Sequence, residues 1–544
     1  MPLKPNLRPE VAVFWVAAYV LAFLNVAFWR KLYGAVDPRN AYEWLFLGAV
    51  VIEGLGFLNL LFGLFCVRYV FKPVLTLFLL ITAGVAYFAN EYGAVIDVHM
   101  VRNVFETNEA EAADLLTPKL FLYLLALGLL PACLVCWSTI LYRPFWHDLR
   151  FKALATLVMV GTMLLTGLPF IQNITSVFRE NRVLLYMFAP LNYLFALDGY
   201  ARKQSAVAGF APFGEDAHKA PTWTTRAHKS LTVIVIGETA RAKNFSLDGY
   251  QRPTNPLLST VPDLVNFSRT YSCGTDTAQS VPCMFSGLGR RNYTYERAIH
   301  QEGLLHMLRR AGFSLLWREN QSGCKGVCKG IATEFVTTTQ YKKFYELGGS
   351  LDENLLTGLQ DRVDKFAGDG VVVLHAMGSH GPAYYQRYPA DFERFRPACK
   401  ESQFSRCTLE EIVNSYDNTI VYTDYILFRL IELLQANDAK GTATAMIYVS
   451  DHGESLGEGN LYLHGLPRAI APDVQTHIPM LLWLSPKFRA DFHVDIGCLQ
   501  RRGSEQTSHD NFFHSVLGLL DVRTKVYDRK LDVFAPCRGS ASAE

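Results

Sequence analysis

The stretch "SLTVIVIGE", Ser230 to Glu238, reads as a short β-strand that ends in a carboxylate. Leu231 to Ile236 is β-branched and almost continuously apolar, the pattern of a strand covered on both faces. Two further runs repeat it: "GVVVLHAMGSHGP", with Val371 to Leu374, and "TAMIYVSDHGESLGE", with Ala445 to Val449. Helical stretches such as Glu410 to Ala436 lie between them. Strands alternating with helices predict an α/β layered fold around a largely parallel sheet. Ligands bind such sheets at the carboxyl ends of the strands. Glu238 follows the first strand, His380 the second, and Asp451 and His452 the third, so all four are expected in one crevice.

Two carboxylates and an imidazole suit zinc, and a catalytic zinc site leaves a position beyond its protein ligands. Asp-His-Gly and Gly-Glu-Thr each occur without any metal, so the shared placement at strand ends carries the inference. A candidate for the remaining position lies in "YSCGTDTAQSVPCMF", Tyr271 to Phe285, where Cys273 and Cys283 bracket Thr275, Thr277 and Ser280, and Ser272 just precedes. Hydroxyls are poor nucleophiles unless a base or a metal activates them. A bridge between the two cysteines would fix such a hydroxyl in one geometry.

The chain has 544 residues, too many for one domain, and its 50% hydrophobic content is unevenly spread. Five runs before residue 172 approach or exceed the roughly 20 apolar residues that cross a bilayer as helix. They are Val11 to Trp29, Trp44 to Val67, Val74 to Ala89, Leu120 to Leu141 and Ala153 to Ile171. Lys4, Arg8, Arg68, Lys72, Arg143, Arg150 and Lys152 sit in loops on one side, and an acidic loop with Glu91, Asp97, Glu106, Glu109, Glu111 and Asp114 on the other. Positive charge stays inside, which predicts a cytoplasmic N-terminus and an external C-terminal part. Arg30, Lys31 and Arg39 run against that bias. Glu53, alone in the second run, is expected to face the bundle interior.

Of eleven cysteines, Cys66, Cys133 and Cys136 fall in predicted spans. The other eight form close pairs, Cys273/Cys283, Cys324/Cys328 and Cys399/Cys407, leaving Cys498 and Cys537 to pair by exclusion. Such spacing suits disulfides in an oxidising compartment, and no second zinc-type pair accompanies Cys324-x3-Cys328. Between membrane and soluble parts, "VFRENRVLLYMFAPLNYLFALDGYARKQ", Val177 to Gln204, reads as interfacial helix. Ser205 to Thr225 reads as a flexible linker. Formal net charge is +2, and no nucleic-acid partner is expected.

Four segments in order, "GETARAKNFSLDGYQRPTNP", "SCGTDTAQSVPCMFS", "HAMGSHGPAYYQRYP" and "SDHGESLGEGNLYLHGLP", resemble the lipid A phosphoethanolamine transferases, which include the mobile colistin-resistance enzymes. That family sits in the alkaline phosphatase/sulfatase superfamily, and the resemblance covers the whole chain. It implies a five-helix transmembrane domain, residues 1–171, with a periplasmic amphipathic loop at about 91–118. Interfacial helices and linker at 172–228 and a periplasmic catalytic α/β domain at 229–544 follow. Thr277 aligns with the nucleophile that carries the phosphoethanolamine, and Glu238, Asp451 and His452 with the other zinc ligands. The resemblance implies one tightly bound zinc ion, with room for a second.

His380 and His464 align with histidines that hold the transferred phosphoryl group or a second zinc, Lys325 in "ENQSGCKGVC" with a lysine of the phosphate-binding region, and Glu454 with an acidic residue beside the zinc site. In "VRNVFETNEAEA", Asn103, Thr107 and Glu111 match lipid-binding positions, and their four-residue spacing shares one helical face. Without the resemblance the same segment reads as a solvated amphipathic helix. Lys243 stands where relatives often carry an acid, and Gln321 where some carry Asn. The implied reaction moves phosphoethanolamine from phosphatidylethanolamine to lipid A phosphates through a phosphothreonine, in a monomeric inner-membrane enzyme, and confers polymyxin resistance. The competing readings are transfer to a core sugar, a membrane-anchored phosphodiesterase or sulfatase, and an inactive binding protein. Sulfatases use "C-x-P-x-R", which this chain lacks in the hydroxyl-rich segment, and an inactive homologue would have lost a ligand or the threonine.

Overall fold

In the computed structural model, which describes residues 4–106, 113, 115–204, 210–321, 323–336, 345–346, 349–401 and 404–539, the three apolar runs are strands. The chain divides into two compact units, Met1–Val101 with Leu116–Tyr200, and Arg102–Leu115 with Ala201–Glu544.

In the first unit, four helices among the described residues are long and apolar enough to cross a membrane: Ala41–Leu64, Phe71–Tyr92, Pro118–Trp137 and Phe145–Phe170. A 24-residue helix is about 36 Å long, enough for a hydrocarbon core of about 30 Å. The helix Phe145–Gly167 buries none of its side chains and exposes Leu154, Leu157 and Leu165, as a lipid-facing helix would. A further candidate is the pair Pro9–Phe23 and Val26–Val36, bent by 61°. The sequence predicts one span from Val11 to Trp29 there, and the break has a cause. Buried Asn25 donates to the carbonyls of Val20 and Ala189, each at 3.0 Å, and accepts from Ala189 N at 2.8 Å. Its amide replaces helical hydrogen bonds that the bend gives up. Glu53 faces the helix Phe145–Gly167, where Thr166 Oγ1 donates to Glu53 Oε1 at 3.0 Å.

The second unit is built on a seven-stranded sheet. Its order is Val265–Asn266, Met480–Leu484, Thr442–Ser450, Lys229–Gly237, Gly370–His375, Ser314–Glu319 and Thr333–Phe335. The last five are mutually parallel, and the first two attach antiparallel. Ile234, Ile236, Val371, Val373, Ala445 and Ile447 are almost fully buried along it. Each such aliphatic contributes about 1.5–3 kcal/mol when buried, alanine less, so the β-branched run is what anchors the strands. The 31-residue helix Leu409–Ala439 packs against the strand Thr442–Ser450 and starts with a capping box between Thr408 and Glu411.

Residues 210–225 belong to this unit and are ordered against it, which the Ala-, Gly- and Pro-rich composition did not predict. His218–Lys219 pairs with Val522–Arg523, and the Trp223 indole donates to Leu520 O at 3.0 Å. A large aromatic anchor outweighs the flexibility of its neighbours. Disulfides join Cys273 to Cys283, Cys324 to Cys328, Cys399 to Cys407 and Cys498 to Cys537; Cys66, Cys133 and Cys136 are free.

Candidate active site

Strand register assembles the site. Ile236 lies opposite both His375 and Val449, and Gly237 opposite Ser450, so the parallel strands end level with one another. Glu238 and Asp451, each the first residue past its strand, therefore emerge side by side. Glu238, Asp451 and His452 are fully buried, and each offers a ligand atom within 4.8 Å of the others. His452 Nε2 is 3.3 Å from Glu238 Oε1 and 3.4 Å from Asp451 Oδ2.

The local backbone is held hard. Thr239 adopts φ +59°, a region a β-branched residue avoids, at a cost of about 1–3 kcal/mol. Three bonds enforce it: its N–H donates to Asp451 Oδ1 at 3.1 Å, its hydroxyl to Glu238 Oε1 at 2.6 Å, and its carbonyl accepts from Tyr416 at 2.7 Å. Gly378, at φ +52°, approaches so closely that a Cβ would sit 2.6 Å from Glu238 O.

Electrostatics explain why this cluster calls for a cation. Burial pushes the Asp451 carboxyl up, and the Glu238 charge adds to it, reaching about 7. Burial opposes ionisation of Glu238 too, but the hydrogen bond and charge of His452 hold it well below the carboxylate range. Burial pulls His452 down, yet Asp451 and Glu238 overcome it and hold the imidazole up at about 10. Two buried carboxylates around one imidazole thus demand positive charge, which a proton on His452 or a metal ion can supply. Asp451 Oδ2 accepts no hydrogen bond, an orphaned buried oxygen that fits a metal ligand. The donor set of two carboxylates and one imidazole fits zinc.

Thr277 is the first residue of the helix Thr277–Ser286, whose N-cap Asp276 accepts from Gln279 N at 3.0 Å. The Thr277 hydroxyl donates to Glu238 Oε2 at 3.0 Å and lies 3.5 Å from His452 Nε2. Its neighbours are spoken for. Thr275 Oγ1 donates to Leu466 O at 2.6 Å, Ser280 Oγ accepts from Gly274 N at 3.0 Å, and Ser272 Oγ donates to Gly274 O. Of Ser272, Thr275, Thr277 and Ser280, Thr277 alone bonds a member of the Glu238, Asp451 and His452 cluster.

Around this opening stand two more predicted histidines. The His464 ring centroid is 4.3 Å from that of His452 and 5.6 Å from that of His380. Glu454 Oε2 lies 2.8 Å from His464 Nδ1, and Tyr384 donates to Glu454 Oε1 at 2.6 Å, which aims His464 Nε2 outward from that carboxylate. Burial pulls His380 down to about 3, so its ring is neutral. Lys325 is half-buried in the turn closed by Cys324 and Cys328. Asn103 is on the helix Val98–Glu106, in the segment grouped with the catalytic unit; Thr107 and Glu111 lie outside the described residues.

Three supporting residues escaped the sequence reading. Gln321, noted there only as a departure, donates to Glu238 Oε2 at 2.8 Å. Asp352 accepts from Met377 N and Gly378 N, each at 2.8 Å, and so fixes the loop that carries His380. Tyr416 reaches the Glu238 turn from the long helix. Gln321 lies in the quoted "ENQSGCKGVC", but its bond to Glu238, like those of Asp352 and Tyr416, spans distant elements and is revealed only by the fold.

Comparison with known proteins places the chain in a family. A sulfatase family model matches residues 230–522, and a phosphoethanolamine transferase EptA/EptB model matches residues 55–205. Phosphoethanolamine transferase EptA of Escherichia coli is 41% identical over 540 residues, 98% of each chain. Phosphatidylethanolamine transferase Mcr-1 of Escherichia coli is 35% identical over 97% of each. The solved integral membrane lipooligosaccharide phosphoethanolamine transferase A of Neisseria meningitidis superposes with a TM-score of 0.95 at 34% identity, covering 98% of this chain and 100% of that one.

Proposed function

The chain belongs to the EptA family of phosphoethanolamine transferases, and from that premise we propose that it moves phosphoethanolamine from phosphatidylethanolamine to the phosphate groups of lipid A. The observation that carries the reading is the Thr277 hydroxyl, 3.0 Å from Glu238 Oε2 at the edge of the Glu238, Asp451 and His452 cluster.

Thr277 Oγ1 attacks the donor phosphorus; the Oγ–P bond forms as the bond from phosphorus to the glycerol oxygen breaks. Glu238 Oε2, the acceptor that the hydroxyl already faces, takes its proton. His464, oriented through Glu454 and Tyr384, presents Nε2 to protonate the departing glycerol oxygen. In net balance the proton lost by Thr277 is gained by diacylglycerol. A phosphate oxygen of monoprotonated lipid A phosphate then attacks the same phosphorus as its proton passes to His464 Nε2; the Thr277 Oγ–P bond breaks and Glu238 returns the proton to Thr277 Oγ1. A zinc ion held by Glu238, Asp451, His452 and Thr277 supplies, when bound, the charge that lowers the hydroxyl pKa and offsets the phosphoryl oxygens. Lys325 and His380 complete the phosphoryl pocket, and Asn103, Thr107 and Glu111 hold the lipid.

The apolar helices, with the bent pair as one, serve as five spans that keep the N-terminus cytoplasmic and the catalytic unit periplasmic. Both substrates are bilayer lipids, so a tethered monomer need extract neither. An added ethanolamine offsets negative charge on lipid A and weakens binding of cationic peptides such as polymyxin. Mass spectrometry of lipopolysaccharide from cells expressing the chain tests the reading. Phosphoethanolamine on lipid A phosphates supports it; addition to core sugar alone, or continued transfer by Thr277→Ala, overturns it.

A further inference from the structure

The catalytic unit includes a piece of chain that lies, in sequence, between two apolar helices. Arg102–Leu115 groups with it, and Arg102 is the point of entry. Arg102 belongs to the nine-residue helix Val98–Glu106, started by Asp97, whose Oδ1 accepts from Met100 N at 2.8 Å. Its side chain is only 5% exposed. The guanidinium lies over the Tyr295 ring, 4.2 Å from the centroid, and Nη2 donates to Asp276 Oδ1 at 3.4 Å. That oxygen is the one that caps the helix beginning at Thr277.

We propose that Arg102 is a positioning residue for phosphoryl transfer: it neutralises the buried Asp276 cap and fixes the start of the helix that presents Thr277. The physical reason is charge. Asp276 must accept from Gln279 N to cap the helix, so a carboxylate is kept buried one residue from the attacking hydroxyl. A negative charge there, if uncompensated, opposes arrival of an anionic phosphodiester and is costly in a buried place. Arg102 is a cation that meets it, and the Tyr295 face holds the guanidinium by cation–π attraction. Arg102 directly precedes Asn103. This inference rests on the transfer reaction proposed above.

The experiment is steady-state transfer by the full-length protein in detergent–phospholipid micelles, with phosphatidylethanolamine as donor and lipid A as acceptor. It compares Arg102→Met, Arg102→Lys, Asp276→Asn and the Met/Asn double variant. Asn caps a helix as well as Asp does and carries no charge, so Asp276→Asn separates capping from charge. Arg102→Met is expected to lower kcat at least about tenfold, within the scale of a small misplacement of a reacting group, with KM for phosphatidylethanolamine changing less than about threefold. Arg102→Lys keeps the charge and stays within about threefold of wild type, and Asp276→Asn added to Arg102→Met restores about threefold or more, because coupled residues do not act additively. The inference is overturned if Arg102→Met keeps its kcat, if only KM moves, or if the two losses multiply. Melting temperature and zinc content are read on every variant. Should Arg102→Met not fold, Arg102→Lys decides: a kcat loss of tenfold or more there, in a folded protein, overturns the inference. A wild-type chain that transfers nothing overturns the proposed function itself, a result distinct from any of these.

Discussion

Lowering the pH should weaken metal binding at the Glu238, Asp451 and His452 cluster by an amount the structure sets. In the metal-free site His452 is flanked at 3.3 Å and 3.4 Å by two carboxylates, which hold its imidazole up at about 10 against the opposing effect of burial. Near pH 7 the ring therefore carries a proton that a metal must displace, since only the neutral imidazole ligates. One proton released per ion makes the apparent affinity rise about tenfold per pH unit, so roughly a hundredfold from pH 6 to 8. Asp451, pushed up to about 7, releases most of a second proton at pH 6 and so adds about a further tenfold over the same range. The sign for stability is the reverse. A raised imidazole pKa contributes to metal-free stability fully below about 6.5 and loses that contribution as pH rises through about 10. Calorimetric zinc titration against a competing chelator, in two buffers of different ionisation enthalpy, reads affinity and proton release together. An affinity flat from pH 6 to 8, or binding that releases no proton, refutes this account of the cluster.

Two substitutions test how the site is held. Gly378→Ala puts a Cβ 2.6 Å from Glu238 O at a φ of +52°, so zinc affinity by chelator competition is expected to fall about 10- to 100-fold, the scale for disturbing a ligand's support. Glu454→Gln removes the carboxylate that orients His464 Nδ1, and is expected to lower kcat about 10- to 100-fold while metal content by elemental analysis stays at the wild-type value.

The sequence carried the strands and their polar ends because a parallel strand buried on both faces must be continuously apolar, and the first polar residue after it marks the edge. Glu238, Asp451 and His452 were legible for that reason. Which hydroxyl faces them was legible only through family resemblance. Ser272, Thr275, Thr277 and Ser280 are alike in the sequence, and what distinguishes Thr277 is that the others are bonded to backbone groups. Asp352 and Tyr416 were not legible at all, and Gln321 stood out only as a departure from relatives, not as a partner of Glu238. Their partners are far off in sequence, and no periodicity announces a side chain that bonds a backbone amide 25 residues away, as Asp352 does with Met377. The bend at Asn25 was missed because hydropathy counts apolar residues and ignores one amide that can replace lost helical bonds.

The central claim is that Thr277 itself bears the phosphoethanolamine between donor and acceptor. Purified full-length protein, incubated with phosphatidylethanolamine and no lipid A, then digested and analysed by tandem mass spectrometry, tests it most directly. The expected result is the peptide containing Thr277 carrying a phosphoethanolamine ester on that residue, which disappears when lipid A is added. An unmodified Thr277 in a preparation that transfers on addition of lipid A, or an ester on another residue, contradicts it.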